Sequence, residues 1–500
     1  MDQIQQNADC HLITRLGAIK GSVIDNVRIY RGVPYATPMV GERRFSPPDP
    51  IESWQGEYDA TRDRPIAPQN KSRLAAAMGD FALEQDEDCL TLNICAPNSQ
   101  SGKHPVMVWI HGGAFTSGAG SLPWYSGEHL ARNGDVVTVG INYRLGALGF
   151  LYLPGLSDGN LGLKDQLLAL QWVKDNIEDF GGDPDNITLV GQSAGGASIA
   201  ALLTKPGLDG LFKRAVLQSA SLGRLFSPPE AAEKTAHSFL KILGINPQEA
   251  HKLKQLPVAQ LLAAQQSLGI AEHRLAQTKP PFWLVRDGEF IASELLDSLD
   301  AGRRLNVDLL IGTTREEMAA FYHFDAKIQS ADNRIVDDLF HAEFGDDAAH
   351  YLNSYRQRRA KQTPAALLGD LYTDKVFRRD SLLLAERFSQ KGLASYVYEF
   401  DWQSPNKLEA CHCLEIPFVF KNLEHWVGSP MLEGLDREEF HGLSSSMQKA
   451  WVAFAHCGNP NHPGIPQWDQ YTATGRNVMH FGSVIGPQKA HIIGDQSDHT

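Results

Sequence analysis

The sequence predicts an α/β protein: a large, mostly parallel central sheet with helices on both faces and helical insertions. Three observations carry this. Short continuous apolar runs, residues 106–110 (VMVWI), 136–143 (VVTVGINY) and 307–312 (VDLLIG), read as strands buried on both faces. Between two such runs, Lys164 to Ile177 has helical spacing, with Leu167, Leu168, Leu170, Trp172 and Val173 on one side. A fourth run, residues 186–192 (NITLVGQ), breaks at glycine and resumes in small, helix-compatible residues. Strand, helix, strand, helix is the order that builds a parallel sheet covered on both sides.

Taken in order, the first hundred residues read as short strands and turns: Gly17 to Gly21, Val27 to Ala36, a Pro-rich turn through residues 45–48, and an alternating strand from Leu90 to Ile94. The buried strand at 106–110 runs directly into His111–Gly112–Gly113–Ala114–Phe115. After the strand at 186–192 and its helix comes another strand, Arg214 to Gln218. From Pro228 to about Lys279 the chain reads as helices broken near Pro247 and Pro257. The strand at 307–312 precedes a second helical, mixed-charge stretch from Asn333 to about Phe388. Both helical stretches are expected to be insertions into one domain spanning residues 1–500. Ser395 to Phe400 is a strand, Ser446 to His456 a helix, and Val478 to Phe481 a late strand.

The chain has 500 residues with no linker or repeat to cut at, and 42% hydrophobic residues fits one large core. A formal net charge of −13 argues against a nucleic-acid footprint and against a basic membrane-binding face. Six cysteines do not make a disulfide scaffold. The N-terminus lacks a basic start followed by an apolar stretch, and no membrane-spanning run occurs, so a cytoplasmic protein is expected. In that compartment the Asn70 and Asn186 sequons carry no meaning.

The chemistry concentrates at Gly191–Gln192–Ser193–Ala194–Gly195. A serine becomes a useful nucleophile only where a base can reach it, and a sharp strand-to-helix turn exposes it. The turn brings strand and helix together, so the flanking positions must be nearly free of side chain, as Gly191 and Gly195 are. A second G-x-S-x-G match, around Ser157, follows Pro154 among turn residues and reads as an ordinary loop serine. Attack on a carbonyl creates an oxyanion, which backbone N–H groups stabilise. Gly113 and Ala114, just past a strand, and Ala194, just past the serine, can donate them. A carboxylate to orient the base is available at Glu316 or Glu317, after the strand ending at Gly312; the residues alone do not choose between them. Among 18 histidines, His412 lies in a loop past the Ser395–Phe400 strand, where the base is expected. A metal site from Cys411, Cys413, His456, Cys457 and His462 is the competing reading, but its spacing matches no common zinc pattern.

On these residues the chain resembles the type-B carboxylesterase family of α/β hydrolases, which includes bacterial para-nitrobenzyl esterases, animal carboxylesterases and cholinesterases. The likeness runs from about Gly17 to about Phe481. It is carried by residues 31–38 (RGVPYATP), 87–93 (EDCLTLN), the HGGAF segment, 142–149 (NYRLGALG) and 180–189 (FGGDPDNITL). The resemblance implies the α/β-hydrolase fold and a triad of Ser193, Glu317 and His412. It implies oxyanion donors at Gly113, Ala114 and Ala194, and substrate-pocket aromatics at Phe115 and Phe321. Three departures stand out. Gln192 replaces the family's usual glutamate before the nucleophile. Cys89 lacks the upstream partner with which exported members pair it, Ala67 standing nearby. The stretch from Ala67 to Cys89 has no tryptophan, so cation–π capture of a choline-like group is not expected.

The expected function is a serine carboxylesterase that hydrolyses carboxylic esters through an acyl-enzyme, with no cofactor and no metal. The alternatives are a non-catalytic binding or adhesion protein of the same fold, and a serine hydrolase acting on amide, carbamate or thioester bonds. The expected partner is a small-molecule ester, with no nucleic acid and no membrane, the protein being a monomer or weak homodimer.

Overall fold

The computed structural model describes residues 8–99, 102–301 and 306–490. Residues 1–7, on which the reading of the N-terminus partly rests, lie outside them. The main sheet runs, edge to edge, through Ala8–Thr14, Gly17–Ile24, Val27–Pro34, Thr91–Pro97, Val137–Ile141, His104–Ile110, Gly182–Gln192, Arg214–Gln218, Asp308–Thr314, Ser395–Phe400, Asn477–Phe481 and Ile485–Lys489. Glu57–Asp59 pairs alongside Gly17–Ile24. Spatial order therefore follows chain order with one exchange, at Val137–Ile141 and His104–Ile110.

The strands from Val137–Ile141 to Asn477–Phe481 are parallel. The flanks are antiparallel apart from Glu57–Asp59, which runs parallel to Gly17–Ile24. The first three strands are antiparallel because short connections join them. One is Asp25–Asn26, both at positive φ (48° and 63°), the backbone twist a two-residue hairpin demands.

The apolar runs are continuous because each strand faces two cores, and successive side chains divide between them. Val106, Val108 and Ile110 join one core with Leu189, Ala215, Leu217, Leu309 and Ile311. Met107 and Trp109 join the other with Val190, Val216, Leu310 and Tyr398. Helices Leu161–Asn176, Ala194–Thr204 and Arg379–Gln390 cover the first face, and Arg437–Cys457 covers the second. The sheet is thus covered on both sides, and the fold is that of an α/β hydrolase.

Helices Pro229–Ile242 and Val258–Glu272 follow Arg214–Gln218. Helices Asn333–Phe344, Ala348–Arg358 and Pro364–Thr373 share a separate core of Met318, Tyr322, Val336, Phe340, Leu367 and Phe377.

Three elements depart from the sequence reading. The last helix begins at Arg437, well before Ser446, because Asp436 caps it by accepting the Glu438 and Glu439 amides at 2.9 Å. Gly442 and the serines at 444–446 mask its periodicity. The edge strands Ala8–Thr14 and Ile485–Lys489 are largely exposed and so carry no apolar stripe to read.

Candidate active site

Strand Gly182–Gln192 ends at Ser193, and helix Ala194–Thr204 begins at once. Ser193 sits at φ 55°, ψ −117°, a conformation that costs a non-glycine residue energy and that the surrounding packing must impose. The packing does so. A Cβ on Gly195 would lie 1.9 Å from the Ile110 carbonyl oxygen, and one on Gly191 would lie 2.6 Å from the Gly195 carbonyl carbon. Only glycines allow strand and helix to approach this closely. The Ser193 amide donates to the Gln218 carbonyl at 2.8 Å, which ties the turn to the neighbouring strand. Ser157 lies in a two-residue strand, Ser157–Asp158, and its hydroxyl donates to the Leu151 carbonyl at 2.7 Å.

The loop after His104–Ile110 abuts the serine: a Cβ on Gly112 would lie 3.0 Å from Ser193 Cβ. Gly113, Ala114 and Phe115 all have positive φ (112°, 55° and 59°), which turns successive N–H groups to one side. Among the described residues, no acceptor is paired with the amides of Gly113, Ala114 or Ala194. Burial pushes His111 down to about 4, so its ring is neutral near pH 7. Its Nδ1 lies 2.7 Å from the Gly112 carbonyl and the ring stacks on Tyr143 at 4.3 Å, which fixes the start of the loop.

Strand Asp308–Thr314 delivers the two glutamates. Glu317 is wholly buried; its Oε1 accepts the Thr314 amide at 2.8 Å and its Oε2 lies 2.5 Å from His412 Nδ1. Glu316 turns the other way. Its Oε2 accepts the Ala410 amide and the Gln403 side chain, both at 3.1 Å, while its own amide donates to the Ala410 carbonyl at 3.0 Å. Glu316 thereby pins the loop that carries His412. Arg359 closes the same loop from helix Ala348–Arg358, gripping Glu409 at 2.9 and 3.1 Å and Asp370 at 2.6 Å.

The His412 ring lies between Phe321, at 5.4 Å between centroids, and Phe377, at 5.1 Å. A carboxylate only accepts, so Nδ1 carries the proton and Nε2 presents its lone pair. That lone pair faces the Gln192 amide nitrogen at 3.3 Å. The ring edge is brought to the residue beside Ser193, but among the described residues Ser193 Oγ makes no hydrogen bond with it. Phe115 is fully buried, with its ring 4.6 Å from Phe150 and 4.8 Å from Trp283.

Sequence reading missed four participants. Gln192, a departure from the family's usual glutamate in the sequence, is a contact of the histidine in the structure. Phe377 comes from a π-helical turn, Asp374–Arg378, inside the second helical stretch. Gln218 accepts the Trp451 indole N–H at 3.0 Å and approaches Glu415 at 3.4 Å. Glu415 itself is wholly buried, and burial first, then the Glu317 charge, pushes its carboxyl up to about 8. A signal existed for it: one acid set among Leu414, Ile416, Pro417 and Phe418.

The residues considered for a metal do not converge. His456 Nε2 is engaged by the Gly134 carbonyl and His462 Nε2 by the Ser446 carbonyl, while burial pushes the Cys411 and Cys413 thiols up. Among the described residues, Glu399, Asp401 and His480 do cluster, but Arg378 pairs with Glu399 and His480 with Asp401.

Residues 8–492 match the sequence profile of the Carboxylesterase family. The chain is 38% identical to the para-nitrobenzyl esterase of Bacillus subtilis (strain 168), over 94% of each chain. It is 36% identical to the phenmedipham hydrolase of Pseudarthrobacter oxydans, over 97% of each. The crystal structure of a Geobacillus stearothermophilus carboxylesterase superposes with a TM-score of 0.85 at 36% identity, covering 96% of this chain and 97% of the other.

Proposed function

The chain belongs to the carboxylesterase family and is a carboxylic ester hydrolase; from that premise we propose that Ser193, His412 and Glu317 carry its chemistry. Ser193 Oγ attacks the ester carbonyl while His412 Nε2 takes its proton. Glu317 holds the imidazole in the tautomer that leaves Nε2 free to accept, and balances the imidazolium that forms. The oxygen of the tetrahedral intermediate lies against the amides of Gly113, Ala114 and Ala194. Collapse breaks the bond to the alkoxy group, which leaves as the alcohol with the proton from His412. Water then attacks the acyl-enzyme with His412 again as base, and the acid departs.

The single observation that carries this reading is the buried pairing of Glu317 with His412 at 2.5 Å, with the ring's free nitrogen turned toward the serine turn. Before attack, Nε2 exchanges its contact with the Gln192 amide for the serine hydroxyl. Such bonds commonly tighten only when substrate is bound. Phe115 and Phe321 are proposed to wall the substrate pocket. We further propose a cytoplasmic location: all six cysteines are free thiols, as a reducing compartment keeps them. No helix among the described residues is long and apolar enough to cross a membrane. We propose a monomer or weak homodimer, which sedimentation reads directly.

The test pairs two variants. Ser193→Ala abolishes hydrolysis of a short-chain nitrophenyl ester and labelling by an organophosphonate, whereas Ser157→Ala keeps both. The opposite pattern overturns the assignment.

A further inference from the structure

Three cationic side chains gather around Thr278 and Trp283 without an acid. The strand beside the nucleophile, Arg214–Gln218, continues into the short turn Leu222–Arg224. Trp283 packs edge-on against Phe115 of the oxyanion loop, and its indole N–H donates to the Arg224 and Leu225 carbonyls at 3.1 and 2.9 Å. On that tryptophan lie Arg224, 5.5 Å from the ring, and Lys279 Nζ, 5.9 Å from it. Arg224 Nη1 donates to Thr278 Oγ1 at 2.8 Å, and Arg73 Nη2 donates to the carbonyl of the same threonine at 2.5 Å. Lys279 Nζ donates to Ser227 Oγ at 2.5 Å. All of these partners are neutral.

Among the described residues, the buried arginines each face an acid: Arg44 faces Glu87, Arg144 faces Asp165 and Arg214 faces Asp308. Among the described residues, no carboxylate forms an ion pair with Arg73, Arg224 or Lys279. Burial and mutual repulsion act on them instead. Burial, then Arg73, lowers Arg224 to about 10, and burial, then Arg224, lowers Lys279 to about 8. Arg224 Nε is buried with no partner. Arg73 is exposed and Arg224 and Lys279 are half-buried, so an anion from solvent can reach them. Arg224 and Lys279, half-buried beside one another without a counter-charge, are costly to desolvate. Their persistence in a chain of formal charge −13 points to an anion that arrives from outside.

We propose that Arg73, Arg224 and Lys279 form a recognition site for a carboxylate carried by the ester substrate, so that the preferred esters are anionic. The proposal rests on the catalytic reading above. A guanidinium fork matches the two oxygens of a carboxylate, and the ammonium adds a third charge-assisted donor.

The test compares charged and neutral partners of equal shape. On the acyl side, monoethyl adipate is set against ethyl hexanoate by pH-stat titration. On the alcohol side, 3-butyryloxybenzoate is set against 3-butyryloxybenzamide. One arm is expected to show kcat/KM at least tenfold higher for the anion, and that arm assigns the cationic cluster to the acyl or the alcohol portion. Arg224→Met and Lys279→Met each cut this ratio at least fivefold, and Arg224→Lys retains part of it. Calorimetry on the unaltered protein, adipate against adipamide, needs neither turnover nor a variant; the dianion is expected to bind at least tenfold more tightly. No anion preference in either arm, or equal affinity for adipate and adipamide, overturns the proposal. Hydrolysis of neutral esters without charge discrimination leaves the catalytic reading intact. Failure to hydrolyse any ester or to react with a phosphonate removes the catalytic reading, while the calorimetry still judges the cationic cluster.

Discussion

Glu317 Oε2 lies 2.5 Å from His412 Nδ1, and neither side chain is accessible to solvent. A carboxylate and an imidazole so enclosed fix one tautomer, because only Nδ1–H satisfies the acid. In Glu317→Gln the amide can present either its oxygen or its NH2 group, so the ring is free to take the wrong tautomer. The expected fall in kcat is about 10³–10⁴-fold, with KM changed little. A loss of less than tenfold, with the fold retained by circular dichroism, removes Glu317 from the proposed triad.

Gln192 faces His412 Nε2 at 3.3 Å as a neutral amide. Replacing it with glutamate puts a carboxylate beside the ring and favours the imidazolium. The acid limb of the kcat/KM profile, which marks loss of the neutral base, should move to higher pH by about one unit. The unaltered protein should accordingly keep activity further into the acid range than Gln192→Glu. Coincident acid limbs in the two proteins count against the contact.

The serine turn and the proposed oxyanion loop are legible in the sequence because each is local: glycines within two residues of Ser193, and the Gly112–Gly113 pair following the strand that ends at Ile110. What is not legible joins distant residues. Glu316 and Glu317 follow the same strand, and only the folded loop shows that one meets His412 and the other the Ala410 amide. Gln192 and His412 stand 220 residues apart, and Arg359 reaches Glu409 from another helical stretch. Arg73, Arg224 and Thr278 come from three separate segments, so nothing in any one of them announces a cluster.

Arg359 is proposed as a positioning residue, since it touches the His412 loop only through Glu409 and Glu316. Arg359→Met leaves Glu409 and Asp370 without their partner, a loss of about 2 kcal/mol in stability. The loosened loop should lower kcat about tenfold with little change in KM, and Arg359→Lys should restore part of it. Loss of stability with an unchanged kcat would show that the ion cluster holds the fold but not the histidine.

Glu415 gives the fold a pH dependence whose sign follows from its surroundings. Burial and the Glu317 charge raise its carboxyl from 4.5 to about 8 in the native state, whereas the unfolded chain releases that proton near 4.5. Between these values the native protein holds one more proton than the unfolded chain, so the contribution of this group to stability declines with rising pH. The decline is complete above about 8, where an ionised Glu415 must share a dry interior with Glu317. Glu415→Gln keeps a group that can accept from Gln218 but has no proton to lose. Urea midpoints measured from pH 5 to pH 9 should therefore fall less in Glu415→Gln than in the unaltered protein, the two curves separating as pH rises toward 8. Parallel curves across that range would mean that Glu415 titrates alike in both states, through solvent that reaches it or through a cation that approaches it on opening.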